Sequence, residues 1–391
     1  MKLNKDDKTL HEIASLVEYA FLKRNSVVND PNFLSRYEHS DGYGEFHDGK
    51  LKSYVMANKF ESMIFNAPVK MAGVGYVSSY PENRGRGDIS RIMEEILNDC
   101  YKNDVPLSNL APFSESFYRQ YGYENAIYQK IISFAGASLR FFKPIKDGQI
   151  LRAKADDEQI LSLVKQVYNR AINSGDEKNT IVRAKWWWER LKTYYPDRFV
   201  AVYLDEQSQP RAYMFYKFEQ DNFVVDEFFY ENSLAAKAPL SYMGSHAASF
   251  KQFKIAMPEG STLEELFPEI HTLKISLEPY MMSRIIDFGK ILSIVKIKSP
   301  FSSVKLEVTG DNYCQWNNGV WKIHNNLDQP NTIEKSTNAA LMDYSADIRT
   351  WTKILLGHLS LEQGIELGLV EKYTDKEIHF ATGKVSFYDY F

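Results

Sequence analysis

Apolar and polar positions between residues 69 and 97 predict a buried strand that runs into an amphipathic helix. Val69 to Val77 is nearly continuous in small and apolar residues, as expected for a central strand covered on both faces. Beyond it, apolar residues recur every three or four positions, which predicts a helix with one face toward a core. These residues are Ile89, Ile92, Met93, Ile96 and Leu97. Alternation of strand and helix is typical of α/β folds.

The flanking sequence extends this α/β pattern over the first third of the chain. We predict a helix over Leu10–Leu22, followed by a polar, turn-rich segment from Asn25 to Lys50. The periodicity further predicts strands over Lys52–Ala57, Glu61–Phe65 and Val105–Leu110, a short helix over Ser114–Gln120, and a strand from Tyr123 onward.

The pattern breaks near Lys143–Gly148 and then restarts with a similar element order, which indicates a weak internal duplication. The second block has predicted helices over Asp156–Ala171, Trp186–Tyr194 and Ala235–Ser249, with strands over Arg198–Tyr203, Ala212–Phe218, Asn222–Tyr230 and Lys251–Ala256. The last block is predicted to be α+β, with strands over Val304–Val308, Asn312–Asn317 and Gly319–His324, helices over Asp347–Leu356 and Ser360–Leu367, and a strand-like aromatic end over Ile378–Phe391.

Composition excludes several classes of protein. The net charge of −4 over 391 residues lacks the basic excess of a nucleic-acid-binding protein. Cys100 and Cys314 are far apart, and the eight histidines show no paired spacing, so we expect neither a disulfide scaffold nor a metal site. No apolar run reaches the roughly 18 residues of a membrane span, and the N-terminus lacks the apolar core of a signal peptide. We therefore expect a cytoplasmic protein without membrane contact.

Two arginines and two glycines fill the turn between the long strand and its helix, as Arg84-Gly85-Arg86-Gly87. A helix start exposes unpaired N–H groups with partial positive charge, glycines admit a ligand close to the backbone, and arginines add forked donors. Such a junction suits a phosphate or pyrophosphate. The alternative is a turn whose arginines face solvent. The spacing matches neither a Walker A loop nor a GxGxxG loop.

This junction resembles motif A of the GNAT family of acyl-CoA N-acyltransferases, [RQ]xxGx[GA], although Ile89 stands where the family has a small residue. LAPFSESFYRQYGYENA (Leu110 to Ala126) resembles the YxxxGY segment of the enhanced intracellular survival (Eis) proteins within that family. The Eis cofactor loop PxxRRRG[IL]L is matched from Pro81 to Ile89, with Gly85 in place of the middle arginine.

Later segments extend the resemblance over the whole chain, namely YMMSRIIDFGKIL, YCQWNNGVWKI and LLGHLSLEQGIELGLV. It implies two GNAT-like α/β domains in tandem, followed by an α+β domain resembling sterol carrier protein. We place these domains at residues 1–148, 149–290 and 291–391. The second block has no RxxG loop after a strand, so we expect acyl-CoA to bind only the first domain. Family members form homo-oligomers, often hexamers, so the resemblance also implies a homo-oligomer.

The resemblance implies acetyl transfer from acetyl-CoA to the primary amine of a polyamine, an aminoglycoside-like molecule or a lysine, without a metal. Tyr118 would protonate the departing thiolate, with Tyr123 as the reserve candidate. The α-carboxylate of Phe391 would accept the amine proton. So many aromatic residues at the end of a chain indicate an anchored tail, and a final strand without a catalytic role is the alternative.

The resemblance also assigns the residues that hold the acyl donor. Backbone groups of Tyr76, Val77 and Ser79 would hold the acetyl and pantetheine groups. The phosphates would contact Arg84, Gly85, Arg86, Gly87 and Asp88. We expect Asp88 to contribute its N–H, because an acidic side chain in a first helical turn is explained by the helix dipole alone.

The acceptor site is less defined by the sequence. Aromatic and acidic residues before the first predicted strands suit a cationic amine, although they equally suit an exposed loop; they are Asn29, Asp30, Phe33, Tyr37, Glu38, Asp41 and Glu45. Trp186-Trp187-Trp188 is interpreted as core and interdomain packing. Two other functions stay open: a non-catalytic regulatory protein that binds acyl-CoA, and a lipid carrier that uses the C-terminal domain.

Overall fold

The structure is a computed structural model that describes residues 1–298, 301–325, 331–336 and 342–391. Within these ranges, twelve strands form one continuous sheet through the first two thirds of the chain. The strands are β1 (Ser40–His47), β2 (Lys50–Ile64), β3 (Ala67–Ser79), β4 (Leu107–Leu110), β5 (Glu124–Phe134), β6 (Gln149–Lys154), β7 (Lys178–Ile181), β8 (Phe199–Leu204), β9 (Pro210–Glu219), β10 (Asn222–Tyr230), β11 (Gln252–Pro258) and β12 (Lys274–Ile285). Their order is β1-β2-β3-β4-β12-β5-β11-β10-β9-β8-β6, with β7 paired to β2.

Seven α-helices accompany this sheet in the described part of the chain. They are α1 (Asp7–Ala20), α2 (Pro31–Glu38), α3 (Asp88–Lys102), α4 (Glu115–Arg119), α5 (Glu158–Ile172), α6 (Lys185–Tyr194) and α7 (Ser233–Gly244). The predicted core face of α3 is confirmed, since Ile92, Met93, Ile96 and Leu97 are fully buried. Their spacing places them on one side of the helix, where they pack against the sheet.

The two α/β units share their central strands. β12, the last strand of the second unit, pairs antiparallel with both β4 and β5 of the first. β5 in turn pairs with β11 of the second unit. The sequence analysis did not predict β12 as a strand, because its first half is largely exposed and its pairing partners lie more than a hundred residues away. These pairings between strands of the two units make one continuous sheet and fix the relative position of the units.

The C-terminal unit has its own sheet of five strands within the described ranges, ordered β15-β14-β13-β16-β17. These strands are β13 (Phe301–Thr309), β14 (Gly319–Asn325), β15 (Thr332–Lys335), β16 (Tyr344–Asp347) and β17 (Glu371–Lys372), with helices α8 (Phe288–Ile294), α9 (Ile348–Leu356) and α10 (Leu361–Glu366). A buried ion pair between Arg284 of β12 and Asp311 joins this unit to the large sheet.

Two predictions for the first unit are wrong. The segment predicted as a turn-rich loop from Asn25 to Lys50 contains α2 and β1. Asp30 caps α2 by accepting a hydrogen bond from the Asn32 N–H at 2.9 Å, and β1 gains its stability from pairing with β2. The two predicted meander strands are a single strand, β2. Asn58, at the predicted break, is buried and donates to the Gly73 carbonyl at 2.6 Å, which satisfies its polar side chain inside the sheet.

Two predictions for the last unit are also wrong. Asn312–Asn317 is a turn rather than a strand, because the Asp311 carboxylate accepts hydrogen bonds from the Cys314 N–H and the Asn317 amide. The chain end forms isolated bridges, such as Ile297 to Phe380, instead of a regular strand over Ile378–Phe391. Side-chain contacts hold this tail in place, as described below.

Candidate active site

A bulge in β3 opens the sheet beside the predicted phosphate loop. β2 and β3 pair through Tyr54 with Ser78 and through Met56 with Gly75, so that Tyr76 and Val77 together oppose one residue of β2. Tyr76 has a φ of 49°, a left-handed conformation that is uncommon for residues other than glycine. Backbone groups at such a bulge leave the ladder and become available to a ligand.

A cavity of about 1020 Å³ lies along this bulge. β3 and β4 pair in parallel over four residues, ending at Val74 and Leu110, and the cavity lies beyond that point. Its walls come from all three units of the fold, and it is large enough for an extended cofactor-sized molecule. Tyr76, Val77 and Ser79, the residues predicted to hold an acyl group and pantetheine arm, line it.

The Arg84–Gly87 turn forms one end of the cavity. Gly85 and Gly87 have φ values of 79° and 78°, which only glycine adopts without strain. Gly87 is the N-cap of α3 and provides no side-chain cap, so the first N–H groups of the helix remain available to an anion. A Cβ on Gly85 would meet no atom within 4 Å, so the space above the turn is open.

Four of the five predicted phosphate-contacting residues line the cavity, namely Arg84, Gly85, Gly87 and Asp88. Arg86 does not, and its carbonyl accepts a hydrogen bond from Arg91 at 3.1 Å. The buried carboxylate of Asp88 accepts hydrogen bonds from Ser53 at 3.1 Å and Arg91 at 2.6 Å, and lies 3.0 Å from a ring nitrogen of His47. The Asp88 carboxylate therefore already has hydrogen-bond partners within the protein, and only its backbone N–H is left to contact a ligand.

The three tyrosines of the YGY region have different surroundings. Tyr118 and Tyr121 line the cavity, and the Tyr121 hydroxyl is paired with Ser90 at 3.0 Å. Tyr123, the reserve candidate, is fully buried outside the cavity lining and is paired with the Ser108 hydroxyl at 2.7 Å. Burial raises the pKa of Tyr118, so its hydroxyl stays protonated at neutral pH. A protonated hydroxyl can donate a proton to a leaving group in the cavity.

The last residue of the chain reaches the same cavity. Phe391 is 5% exposed, and its ring packs against Phe60 with 4.9 Å between ring centroids. Its terminal carbonyl carbon lies 3.5 Å from the position that a Cβ would take on Gly75. The terminal carboxyl group is therefore next to the β3 bulge, where it can accept a proton from a nucleophile.

A buried ion pair anchors the tail two residues earlier. The Asp389 carboxylate accepts hydrogen bonds from Arg183 Nε at 2.9 Å and Trp187 Nε1 at 2.6 Å. Arg183 also pairs with Glu227 at 2.6 Å. Burial raises the pKa of Asp389, although Arg183 opposes that shift. Upstream, Ser386 bonds to Glu177. These contacts attach the tail to the second unit. The aromatic composition of the chain end alone did not indicate where the tail is attached.

Two buried arginines at the other end of the cavity were missed by the sequence analysis. Arg36 on α2 donates from Nε to Asn58 at 3.1 Å, and its guanidinium lies 4.5 Å from the centre of the Tyr76 ring. Burial lowers its pKa to about 10. Arg190 on α6 lies between the rings of Trp187 and Tyr194. The sequence signal that could have indicated these residues is an arginine beside the apolar face of a predicted helix. That signal is weak, because the burial of the arginine depends on elements far away in the sequence.

Most of the predicted acceptor residues lie elsewhere. Asp30 lines the cavity, while Phe33 and Tyr37 belong to the core beneath α1 and α2. Asp41 pairs with Lys2 and Lys59, and Glu45 pairs with Arg91; with Asn29 and Glu38, they are outside the cavity lining. The part of the cavity near Asp30, Arg36 and Arg190 is consequently richer in cationic than in acidic side chains.

The tryptophan triplet packs as predicted. Trp187 and Trp188 are buried, and Trp186 stacks on His39 and Phe60 of the first unit. Cys100 and Cys314 are buried free thiols. Within the described residues, no group of three His, Cys, Asp or Glu side chains is arranged to hold a metal ion. In the same ranges, the structure contains no helix long and apolar enough to cross a membrane.

Family comparisons agree with this architecture. Two acetyltransferase (GNAT) domain profiles match residues 4–126 and 180–285, which together make up more than half of the chain. A sterol carrier protein domain profile matches residues 290–383. A comparison with curated proteins finds no match.

Solved structures are similar over the full length. A probable N-acyltransferase of unknown function from Enterococcus faecalis V583 is 29% identical, with a TM-score of 0.86 over 100% of this chain and 98% of that chain. A GCN5-related N-acetyltransferase from Anabaena variabilis ATCC 29413 is 16% identical, with a TM-score of 0.84 over 100% of both chains. Eis1 from Mycobacterium abscessus is 15% identical and shares the fold, with a TM-score of 0.82 over 100% of this chain and 99% of that chain. The chain thus belongs to the GNAT N-acetyltransferases, as a tandem GNAT protein with a C-terminal sterol carrier protein domain.

Proposed function

We propose that this protein transfers an acetyl group from acetyl-CoA to the primary amine of a small molecule, in a ternary complex and by direct attack. One observation carries the proposal: the β3 bulge, Tyr118 and the terminal carboxyl group of Phe391 all border a single cavity that ends at the Arg84–Gly87 turn. A donor site, a proton donor and a proton acceptor are the parts that amine acetylation requires.

The donor end fits acetyl-CoA. The uncapped N-terminus of α3, with Arg84 beside it, would hold the pyrophosphate, and backbone groups of Tyr76, Val77 and Ser79 would hold the pantetheine arm and acetyl group. Acetyl-CoA supplies an activated thioester carbonyl. The bulge N–H groups would stabilise negative charge that develops on the carbonyl oxygen.

Proton transfer is assigned to two groups of this chain. The Phe391 carboxylate accepts the proton that the amine nitrogen loses as the new C–N bond forms. Tyr118 donates its hydroxyl proton to the sulfur as the C–S bond breaks. Arg36 Nη2 lies against Gly75 beside the terminal carbonyl carbon, and a positive charge there favours the ionised form of the carboxylate.

The proposal also covers the arrangement of the whole chain. Residues 1–148 form the catalytic domain, residues 149–290 form a GNAT-like domain that binds no acyl-CoA, and residues 291–391 deliver the tail. The sequence resemblance further predicts a homo-oligomer, with a hexamer as the state expected from the family, and a cytoplasmic location. Sedimentation would measure the oligomeric state, and fractionation of cells would measure the location.

The test is release of CoA thiol from acetyl-CoA with a panel of primary amines that includes polyamines, aminoglycosides and lysine. We expect turnover by the native protein and a fall in kcat of about 100-fold in Tyr118→Phe, with acetyl-CoA affinity unchanged. Tyr123→Phe is the matched control, because that hydroxyl is held in the core by Ser108. Equal kcat in Tyr118→Phe and the native protein would remove Tyr118 from the mechanism.

Binding of acetyl-CoA without thiol release for any amine would instead favour the non-catalytic regulatory protein. Lipid that co-purifies with the native chain and is seen by native mass spectrometry would favour the carrier. No residue of the C-terminal unit other than Tyr390 and Phe391 lines the described cavity, so its contribution to the proposed reaction is the tail.

A further inference from the structure

Arg190 is a buried charge that faces the cavity. Its side chain comes from α6 of the second unit and lines the acceptor end of a cavity whose donor end belongs to the first unit. It is 4% exposed, and its guanidinium lies 4.0 Å from the centre of the Tyr194 ring and 4.8 Å from that of Trp187. Its Nε and Nη1 atoms have no hydrogen-bond partner among the described residues.

Two other buried arginines of this chain, Arg183 and Arg284, are neutralised by carboxylates. Arg183 is bound by Glu227 and Asp389, and Arg284 by Asp311. No acidic side chain of the described ranges pairs with Arg190. A buried guanidinium without a partner is costly, and burial accordingly lowers the pKa of Arg190. A cavity-lining group of this kind indicates a ligand that supplies the missing acceptor atoms.

At the acceptor end of the cavity, positively charged side chains outnumber negatively charged ones, and Arg190 is one of those without a counter-charge. Lys23, Arg36 and Arg190 line this end, and Asp30 is the acidic side chain among the lining residues there. Asp30 is used as the N-cap of α2. Arg36 lies near the terminal carbonyl carbon of Phe391, but its Nη2 atom is also buried without a hydrogen-bond partner among the described residues. A second unmatched arginine would repel a polyamine and attract an anion.

We propose that the amine acceptor carries an anionic group, a carboxylate or a phosphate, and that Arg190 binds this group while the amine faces the terminal carboxylate. This inference rests on the proposed acetyltransferase function and narrows its substrate class to zwitterionic amines. The anionic group takes no part in bond making or breaking. It orients the amine toward the acetyl group, and the positive charge of Arg190 favours the neutral, nucleophilic form of the amine.

The experiment compares primary amines with and without an anionic group. The pairs are 4-aminobutyrate against its amide and phosphoethanolamine against ethanolamine, with spermidine as the cationic reference. Binding to the CoA-saturated protein is measured by calorimetry and turnover by thiol release. We expect the member that carries the anionic group, in at least one pair, to bind about 10- to 100-fold tighter than the member without it, as for a charge-assisted hydrogen bond. The preferred pair identifies carboxylate or phosphate.

Arg190→Met tests the assigned residue, because methionine keeps the apolar contacts but removes the charge. The tighter binding of amines with an anionic group should disappear in Arg190→Met and be partly retained in Arg190→Lys. Arg198→Met is the matched control, since Arg198 is a buried arginine of the same unit outside the cavity lining. It should keep the native preference.

Three results would overturn the inference. They are tighter binding of spermidine than of either amine with an anionic group, equal affinity within both pairs in the native protein, and an equal loss of affinity for both members of each pair in Arg190→Met. The last result would show that Arg190 serves the chain's own terminal carboxylate. Because binding is measured with CoA rather than acetyl-CoA, the inference is tested even if no amine is acetylated, which would refute the proposed function instead.

Discussion

Moving the terminal carboxylate should abolish acetyl transfer while leaving the tail and the donor site in place. Three variants isolate its position: an extension by two glycines after Phe391, a deletion of Phe391, and Phe391→Leu. The extension replaces the carboxylate with a peptide carbonyl, the deletion retracts it by one residue, and the leucine variant keeps it. None of the three changes alters Asp389, Arg183 or Trp187, which are paired in the native chain, so we expect the tail anchor to be kept.

The structure sets the expected magnitudes. The terminal carbonyl carbon is 3.5 Å from the Cβ position of Gly75, so it lies directly beside the bulge. Deleting one residue retracts it by up to about 3.5 Å, which exceeds the roughly 3 Å reach of a hydrogen bond. Loss of a positioned general base costs about 100- to 10,000-fold in rate. Phe391→Leu loses ring contacts with Phe60 but keeps the carboxylate, so its kcat should change by less than about tenfold.

The assay is kcat for CoA-thiol release, combined with the Kd of acetyl-CoA measured by calorimetry. The extended and shortened chains should lose turnover with acetyl-CoA Kd within about twofold of the native value, because the Arg84–Gly87 turn is remote from the change. Full activity of the extended chain would refute the assignment and direct attention to a cavity side chain or a water molecule. Weakened acetyl-CoA binding would show instead that the extension blocks the cavity.

Three further variants test the donor site, the tail anchor and a buried lysine. Arg84→Gln should raise the acetyl-CoA Kd about fivefold through loss of charge at the α3 N-terminus, measured by calorimetry, whereas Arg86→Gln, outside the cavity lining, should change it less than twofold. Asp389→Ala should lower the urea unfolding free energy by about 3 kcal/mol or less, since Arg183 keeps Glu227, and should lower kcat without changing the acetyl-CoA Kd. Lys178 is buried, which lowers its pKa from its usual value of 10.5 to about 8. Between these values the unfolded chain binds the proton and the folded chain does not, so the native free energy of unfolding should rise with pH by about 3 kcal/mol relative to Lys178→Met in urea titrations.

Each of these three has a contrary outcome. Equal effects of the two arginine variants would remove the specific role of Arg84 at the helix start. An Asp389→Ala chain that is less stable but has native kcat would show that the tail docks through its aromatic residues without the ion pair. Parallel pH profiles for the native chain and Lys178→Met would mean that the ammonium remains hydrated in the folded protein.

The sequence determined the features that depend on neighbouring residues. The spacing of Ile92, Met93, Ile96 and Leu97 defines the buried face of α3, because helical periodicity is a local property. Four of the five residues predicted at positions 84–88 to contact phosphate line the cavity, and phosphate binding by this turn stays a prediction. The aromatic chain end likewise predicted an anchored tail, and Phe391 is buried.

Only the tertiary structure decided how distant segments meet. The insertion of β12 between β4 and β5, and the stability of β1 beside β2, follow from strand pairings that carry little local signal. The surroundings of buried charged side chains are likewise decided by the tertiary structure. Arg183 lies two residues before α6 and Arg190 lies within it, yet Arg183 meets two carboxylates whereas Arg190 faces the cavity with no acidic partner among the described residues. The surroundings of a buried charge are assembled from elements far apart in sequence, so its role depends on the fold as a whole.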